Sequence, residues 1–554
     1  MMEISGLFRT DYISLFVGGS VCFFSLLAVI YSVGFMRGRK GLFRYYLYLL
    51  LTAVVSLGAV FANNLLLFIV LWGFLGLLLY LLIEFGEKPH KSATAKKTFI
   101  IIGGTDAVML LGLGIIWKFA GTLDMDNLSI PLTGAAAVAA YLCLASGAFA
   151  KAGCMPFHTW VPDTAEDAPT SVTAFLPASL DKLLGIYFFI RLTIDIFRMN
   201  AAMNIFLMAL GSFTILAAVM MALVQHDLKR LLGYHAVSQV GYMVLGIGTG
   251  NPIGIAGGLF HMLNNAIYKS CLFFSGGAVE KRTGTTDLEK LGGFARLMPV
   301  TFATFLIASL SISGVPPFNG FASKWMIYQG IIDSAAVNSY LWIVWLVAAM
   351  FGSALTLASF MKLVHAVFLG QPSREVRLGG FQKKETGPSM WIPTVTLAAL
   401  CVLFGVFAWR LPLDLLIFPS LGGSFGFTGI WDPSLATALI IAGLVIGLII
   451  YYLGRGVKTR STAPFVGGET YEDIPEMRVS GTEFYATIKE MGLLKTVYKM
   501  AEKKYFDIYE VGVKITFGFN AVLRYLHNGV LLTYLAWCML GMIVLFFVLF
   551  KKPW

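Results

Sequence analysis

Apolar residues in this chain do not alternate with polar ones. They come in runs of about 18 to 25, separated by short polar loops, and a run of that length spans a bilayer as a helix. Continuous runs select helices over a β-barrel, because in lipid the backbone must satisfy its own hydrogen bonds. The pattern predicts an all-α polytopic membrane protein with about fourteen spans, near 13–36, 43–62, 64–85, 97–121, 132–153, 171–195, 204–225, 231–250, 253–280, 300–321, 334–369, 391–410, 434–454 and 528–550. Residues 455–527 interrupt it with polar sequence and scattered charges and aromatics. Within them, Thr482 to about Leu526 reads as helical. Ile488, Met491, Leu493, Leu494, Val497 and Tyr498, mixed with Lys489, Lys495 and Lys499, suit a helix lying along the membrane surface. The plainer alternative is a partly ordered cytoplasmic loop.

Composition agrees with the pattern. Of 554 residues, 58% are hydrophobic and 13% charged, against roughly 25% charged in soluble domains. The net charge of +11 does not point to nucleic acid, because the basic residues sit in loops. Arg37, Arg39, Lys40 and Arg44 follow the first span; Lys88, Lys91, Lys96 and Lys97 follow the third. Lys229 and Arg230, then Lys281, Arg282, Lys290 and Arg296, lie on the same side. The opposite loops, such as 62–64 and 121–130, carry no Lys or Arg. The positive-inside rule then puts both termini outside. Cys22, Cys143, Cys154, Cys271, Cys401 and Cys538 are dispersed, with no CxxC, and read as small apolar residues; no metal or iron–sulfur site is indicated. The first apolar run, Tyr12 to Met36, is too long for a cleavable signal peptide and lacks a cleavage site. No Gly-rich phosphate loop follows a strand, so no cofactor is expected in the chain.

The informative residues are ionisable ones inside apolar spans, each costing on the order of a few kcal/mol unless paired or hydrated. Asp106 lies in the fourth span, Lys151 near the end of the fifth, and Asp181 and Lys182 midway along the sixth. His261 and Lys269 lie in the ninth, Lys324 follows the tenth, and Lys362 and His365 come late in the eleventh. His261, Asn265 and Lys269 are spaced i, i+4, i+8 and share one helix face. One buried lysine would more often be packed or snorkelling; a set spread over many spans is hard to explain by structure alone. Two helices read as broken, at Gly153 and Pro156 and at Gly314, Pro316 and Pro317, each beside a buried lysine. Paired interrupted helices in two halves mark an inverted-repeat transporter. Burial favours a neutral amine and a nearby carboxylate favours the ammonium. Lysines and carboxylates joined by water therefore form a candidate proton line.

These stretches resemble the antiporter-like subunits shared by respiratory complex I, energy-converting membrane hydrogenases and Mrp cation/proton antiporters. The resemblance runs from about Asp11 to Gly370. It is carried by 151–169, 222–230, Ser238-Gln239-Val240-Gly241-Tyr242-Met243, 261–269 and 311–324. It implies two inverted five-helix half-channels, about 43–200 and 204–370. An N-terminal span at 1–42, added spans at 371–454, a cytoplasmic segment at 455–527 with a lateral helix, and a final span at 528–554 surround them. It implies that Lys151 and Lys324 are the central lysines of the broken helices and that His261 and Lys269 link the halves. Residues 504–510 and the last span resemble the tail of the largest subunit of this type. Some positions depart from the family. Gly73 stands where a glutamate counter-charge follows the tryptophan of the third span, with Asp106 as substitute. Pro177 replaces a histidine of the quinone-reducing branch, and Lys182 resembles the hydrogenase-type lysine. Asn265 replaces a histidine and cannot titrate. Trp325 stands where an aspartate is common. The chain begins at what would be the family's third helix.

The resemblance implies a proton-translocating subunit of a redox-driven membrane complex in a prokaryotic inner membrane, without redox centre or nucleotide site. Its partners would be membrane and peripheral redox subunits. The alternatives are a sodium/proton antiporter of the Mrp kind, a proton-driven subunit of a bicarbonate-uptake system, and a non-conducting anchor.

Overall fold

The computed structural model describes residues 6–335, 340–379, 384–423, 426, 433–454 and 481–550. They form two compact units, Met1–Met491 and Gly492–Trp554. The first unit is a helical bundle. Its helices are α1 (Tyr12–Phe35), α2 (Leu42–Phe61), α3 (Leu65–Ile83), α4 (Lys91–Ala120), α5 (Ala135–Ala152), α6 (Trp160–Asp167), α7 (Thr170–Phe175), α8 (Asp181–Ile190), α9 (Ala201–Leu223), α10 (Leu228–Gly248), α11 (Pro252–Thr283), α12 (Pro299–Ser313), α13 (Asn319–Asp333), α14 (Leu341–Val364), α15 (Pro388–Val406), α16 (Pro433–Leu453) and α17 (Ala486–Glu490).

Polar residues at the loop boundaries set where helices start. Asp11, Asn64, Asn200, Asp227 and Asn251 each accept a backbone N–H of the first turn of α1, α3, α9, α10 and α11, satisfying donors the helix cannot. Asp11 also anchors an ion cluster: Arg191 Nη2 lies 2.7 Å from it and Arg191 Nη1 2.7 Å from Asp195, while Arg9 binds Asp11, Asp126 and Asp195.

Eleven helical stretches among the described residues are long and apolar enough to cross a membrane, which makes this a multi-span membrane protein. The α10 and α11 helices are not among them, although they have 21 and 32 residues. Nearly every residue of both is buried in protein, so their surfaces meet side chains rather than lipid and can carry polar groups.

Two spans are broken, as expected. Gly153 (φ 79°) ends α5 and Gly314 (φ 80°) ends α12, both left-handed. The prolines just beyond stop the helix from resuming at once, and α6 and α13 continue each span.

Three expectations need correction. The tenth span ends at Ser313 rather than 321. The next helix is α13, and Lys324, which follows the tenth span, lies on it. Asn319, Ser323, Lys324 and Gln329 dilute its apolar signal, which is why it did not read as a helix. The eleventh span then begins at Leu341 rather than 334 and ends in a π-turn, His365–Leu369. The continuous helix expected over 482–526 is also interrupted. In the first unit α17 ends at Met491, in extended conformation. The second unit contains α18 (Gly492–Glu502), α19 (Ile508–Leu526) and α20 (Leu531–Phe550). Lys504, at φ 58°, turns the chain between α18 and α19. Residues 455–480 of the expected cytoplasmic segment lie outside the described residues.

Candidate functional site

The α7–α8 span is wound as π-helix over Leu176–Leu180, where Pro177 withholds a backbone donor. This places Asp181 and Lys182 at the start of α8, facing the end of α5. Lys151 Nζ lies 3.9 Å from Asp181 Oδ1 and 5.2 Å from the centre of the Trp72 ring. Both side chains are essentially unexposed. Asp106, half-buried on α4, faces the Trp72 indole N–H and the Lys151 charge. A Cβ at Gly73 would meet no atom within 4 Å, so the counter-charges of Lys151 come from α8 and α4. Lys182 lies on the far side of Asp181, 5.7 Å from the Trp160 ring, with its ammonium against Gly153 at the first break. Gly185 lets α8 approach closely here, because a Cβ on it would stand 2.6 Å from the Ala152 nitrogen.

His261, Asn265 and Lys269 on α11 reach toward α7–α8, α10 and α13. Asn265 Nδ2 donates to the Ala178 carbonyl of the π-turn at 3.3 Å. Lys269 Nζ donates to the Leu232 carbonyl of α10 at 2.8 Å and lies within Coulombic range of Lys182. His261 Nε2–H donates to Gln239 Oε1 at 3.1 Å, and its Nδ1 faces the Ser323 hydroxyl at 2.9 Å. The Tyr268 hydroxyl lies 3.3 Å from both Gln239 Oε1 and His261 Nε2. Lys324, next to Ser323, folds back on the second break. Its Nζ donates to the Ile312 carbonyl at 2.9 Å and lies 4.7 Å from the Tyr242 ring. The break is pinned by Asn319, whose amide donates to Asn264 Oδ1 at 2.9 Å and whose Oδ1 accepts the Ser311 hydroxyl.

The last two candidates stand apart. Lys362 Nζ donates to the Leu223 and Gln225 carbonyls, each at 2.8 Å, at the C-terminal end of α9. That is the position where a cation satisfies unpaired carbonyls and the helix dipole. His365 is half-buried in its π-turn and packs against Phe484, ring centres 5.0 Å apart and tilted by 39°. It is not brought into the buried line.

Sequence reading passed over His235 and Ser359, and quoted Ser238 and Gln239 only as part of a motif; all four are fully buried. The spacing of His235 and Gln239, four apart on one face, was the available signal.

The family model described as NADH:quinone oxidoreductase/Mrp antiporter, transmembrane, matches residues 62–356, more than half the chain. The chain belongs to this family. The matched stretch holds every candidate side chain except Lys362 and His365. The chain is similar to Na(+)/H(+) antiporter subunit A1 of Staphylococcus saprophyticus, 32% identical over 403 residues, 69% of this chain and 50% of that protein. It thus spans about half the length of that curated relative. It is also similar to F(420)H(2) dehydrogenase subunit L of Methanosarcina mazei, 30% identical over 488 residues, 78% of this chain and 71% of that one. A solved structure of the membrane-bound sulfane sulfur reductase, an archaeal respiratory membrane complex, superposes with TM-score 0.77 and 25% identity over 98% of this chain and 89% of that chain.

Proposed function

We propose that this chain is the antiporter-like, proton-translocating subunit of a multi-subunit, redox-driven membrane complex. One observation carries the reading. Lys151, Asp181, Lys182, Asn265, Lys269, His261 and Lys324 are all buried inside the helical bundle, with half-buried Asp106 acting on Lys151. Lys151 Nζ, Asp181 Oδ2, Lys182 Nζ and Asn265 Oδ1 are buried with no hydrogen bond from protein. Buried polar atoms left over in this way are satisfied by water, and water between titratable groups passes protons.

Asp181 is shared by two lysines. While its carboxylate holds the Lys151 ammonium, the proton stays in the first half. When Asp181 turns to Lys182, Lys151 releases its proton toward the centre, and Lys182 passes charge on to Lys269. Asn265 does not titrate; it orients water beside the Ala178 carbonyl. Lys324 and the His261–Gln239–Tyr268 group serve the second half. The two broken spans, each beside a buried lysine, support reading 43–200 and 204–370 as inverted half-channels. The basic loops support cytoplasmic placement on that side, with both termini outside, in a prokaryotic inner membrane. Redox centres would belong to partner subunits that drive this one.

The 32% identity to a protein named as a sodium/proton antiporter subunit favours a second reading, Mrp-type antiport. Purification of the native assembly and identification of its chains separates the two. Iron–sulfur or flavin subunits support the first reading, and sodium-dependent proton flux in proteoliposomes supports the second. In either case Lys151→Ala and Lys324→Ala abolish proton flux, and unchanged flux in both refutes translocation through these residues.

A further inference from the structure

We propose that His235 is the titrating link that carries protons between Lys269 and the second-half lysines, a step Asn265 cannot perform; this rests on the translocation reading above. His235 sits on α10, one turn beyond Leu232, whose carbonyl binds Lys269. Its side chain has no exposure. The ring packs on Phe360 with centroids 4.8 Å apart, and the Lys269 ammonium lies 5.7 Å from the same Phe360 ring. Phe360 thus neighbours both groups. On the other edge, His235 Nε2 is 2.7 Å from Ser359 Oγ. When Nε2–H donates to that hydroxyl, Nδ1 is left with its lone pair. Nδ1 is buried and has no hydrogen bond from protein, so it is the nitrogen that exchanges protons.

The surroundings suit a relay rather than a fixed ion pair. The charges acting on the ring come from Lys269 on α11, Lys324 on α13 and Lys362 on α14, with no carboxylate among them. Like charges in a low-dielectric site exclude one another. A proton therefore occupies the ring when a neighbouring lysine gives one up. In the forward step one Lys269 N–H bond breaks, its proton crosses bridging water to His235 Nδ1, and Lys269 is left as the neutral amine. In the next step the imidazolium returns that proton through water to the neutral amine of Lys324. Charge and protons balance in each step, and the ring ends as it began.

The test uses the purified native assembly in liposomes, with proton influx driven by a potassium diffusion potential and read by an internal pH dye. His235→Gln keeps a polar amide but cannot titrate. It is expected to assemble with an unchanged thermal midpoint and to lower flux by about 100-fold, the scale of a lost acid–base group. Wild-type flux in His235→Gln, alongside lost flux in Lys151→Ala and Lys324→Ala, overturns the link and leaves the translocation reading standing. Retained flux in the lysine variants removes that reading instead. Should His235→Gln fail to assemble, His235→Asn, which cannot titrate either, takes its place: lost flux supports the relay, and wild-type flux overturns it.

Discussion

Asp181→Asn isolates the pair on which the first half turns. The substitution removes one charge while keeping size and shape. The ammonium of Lys151 lies 3.9 Å from the lost charge. With an effective dielectric constant of about 20, two unit charges at that distance attract by about 4 kcal/mol. If the protonated Lys151 state lies on the conduction path, its formation becomes less favourable by that amount, and flux falls roughly 1,000-fold. Asp106→Asn is the internal control. Its carboxylate acts on the same lysine but forms no ion pair with it within 4 Å, so its loss is milder. The assay is voltage-driven proton influx into proteoliposomes, with assembly checked by gel filtration. The reasoning fails if Asp181→Asn conducts like wild type, or if Asp106→Asn is the more damaging change.

Two further outcomes follow from the geometry. Gly320→Ala should abolish flux and impair assembly, because its Cβ would stand 1.9 Å from the Ser311 carbonyl oxygen at the second break; Gly73→Ala, in open space, should match wild type in both measurements. Burial opposes the charge of Asp11, but hydrogen bonds and charge from Arg191, with the Ser14 N–H and Arg9, outweigh it and hold this carboxyl well below the ordinary range. A depressed carboxyl stabilises the fold above its unfolded value of about 4 and loses that contribution as pH falls toward its folded value. The thermal midpoint should therefore drop between about pH 4 and pH 2 in wild type, and by less in Asp11→Asn, which starts lower at neutral pH.

The sequence disclosed the spans and the breaks because both are local. A run of apolar residues or a Gly/Pro cluster carries its meaning within a few turns of chain. It also exposed Lys151, Asp181 and Lys269, since charge within an apolar run is conspicuous wherever it points. What it hid depends on who faces whom. Asp181, rather than a residue on α3, is the close counter-charge of Lys151 because the π-turn around Pro177 rotates α8. Lys362 is held by the carbonyls that end α9, a partnership made only by packing. His235 escaped notice although 231–250 reads as a span, because one histidine among the Tyr, Ser and Gln residues of that helix does not stand out. That helix and α11 are sheathed by neighbours.

The sheathing of α10 and α11 bears on how the protein is made. Helices less apolar than their neighbours gain less from lipid alone as they leave the insertion machinery. The α10 and α11 helices depend instead on α5 to α9 before them and α12 to α14 after them closing around them. A nascent chain stopped just past Thr283 should therefore stay with the translocon or be degraded, whereas one stopped after α4 should settle in the membrane unaided.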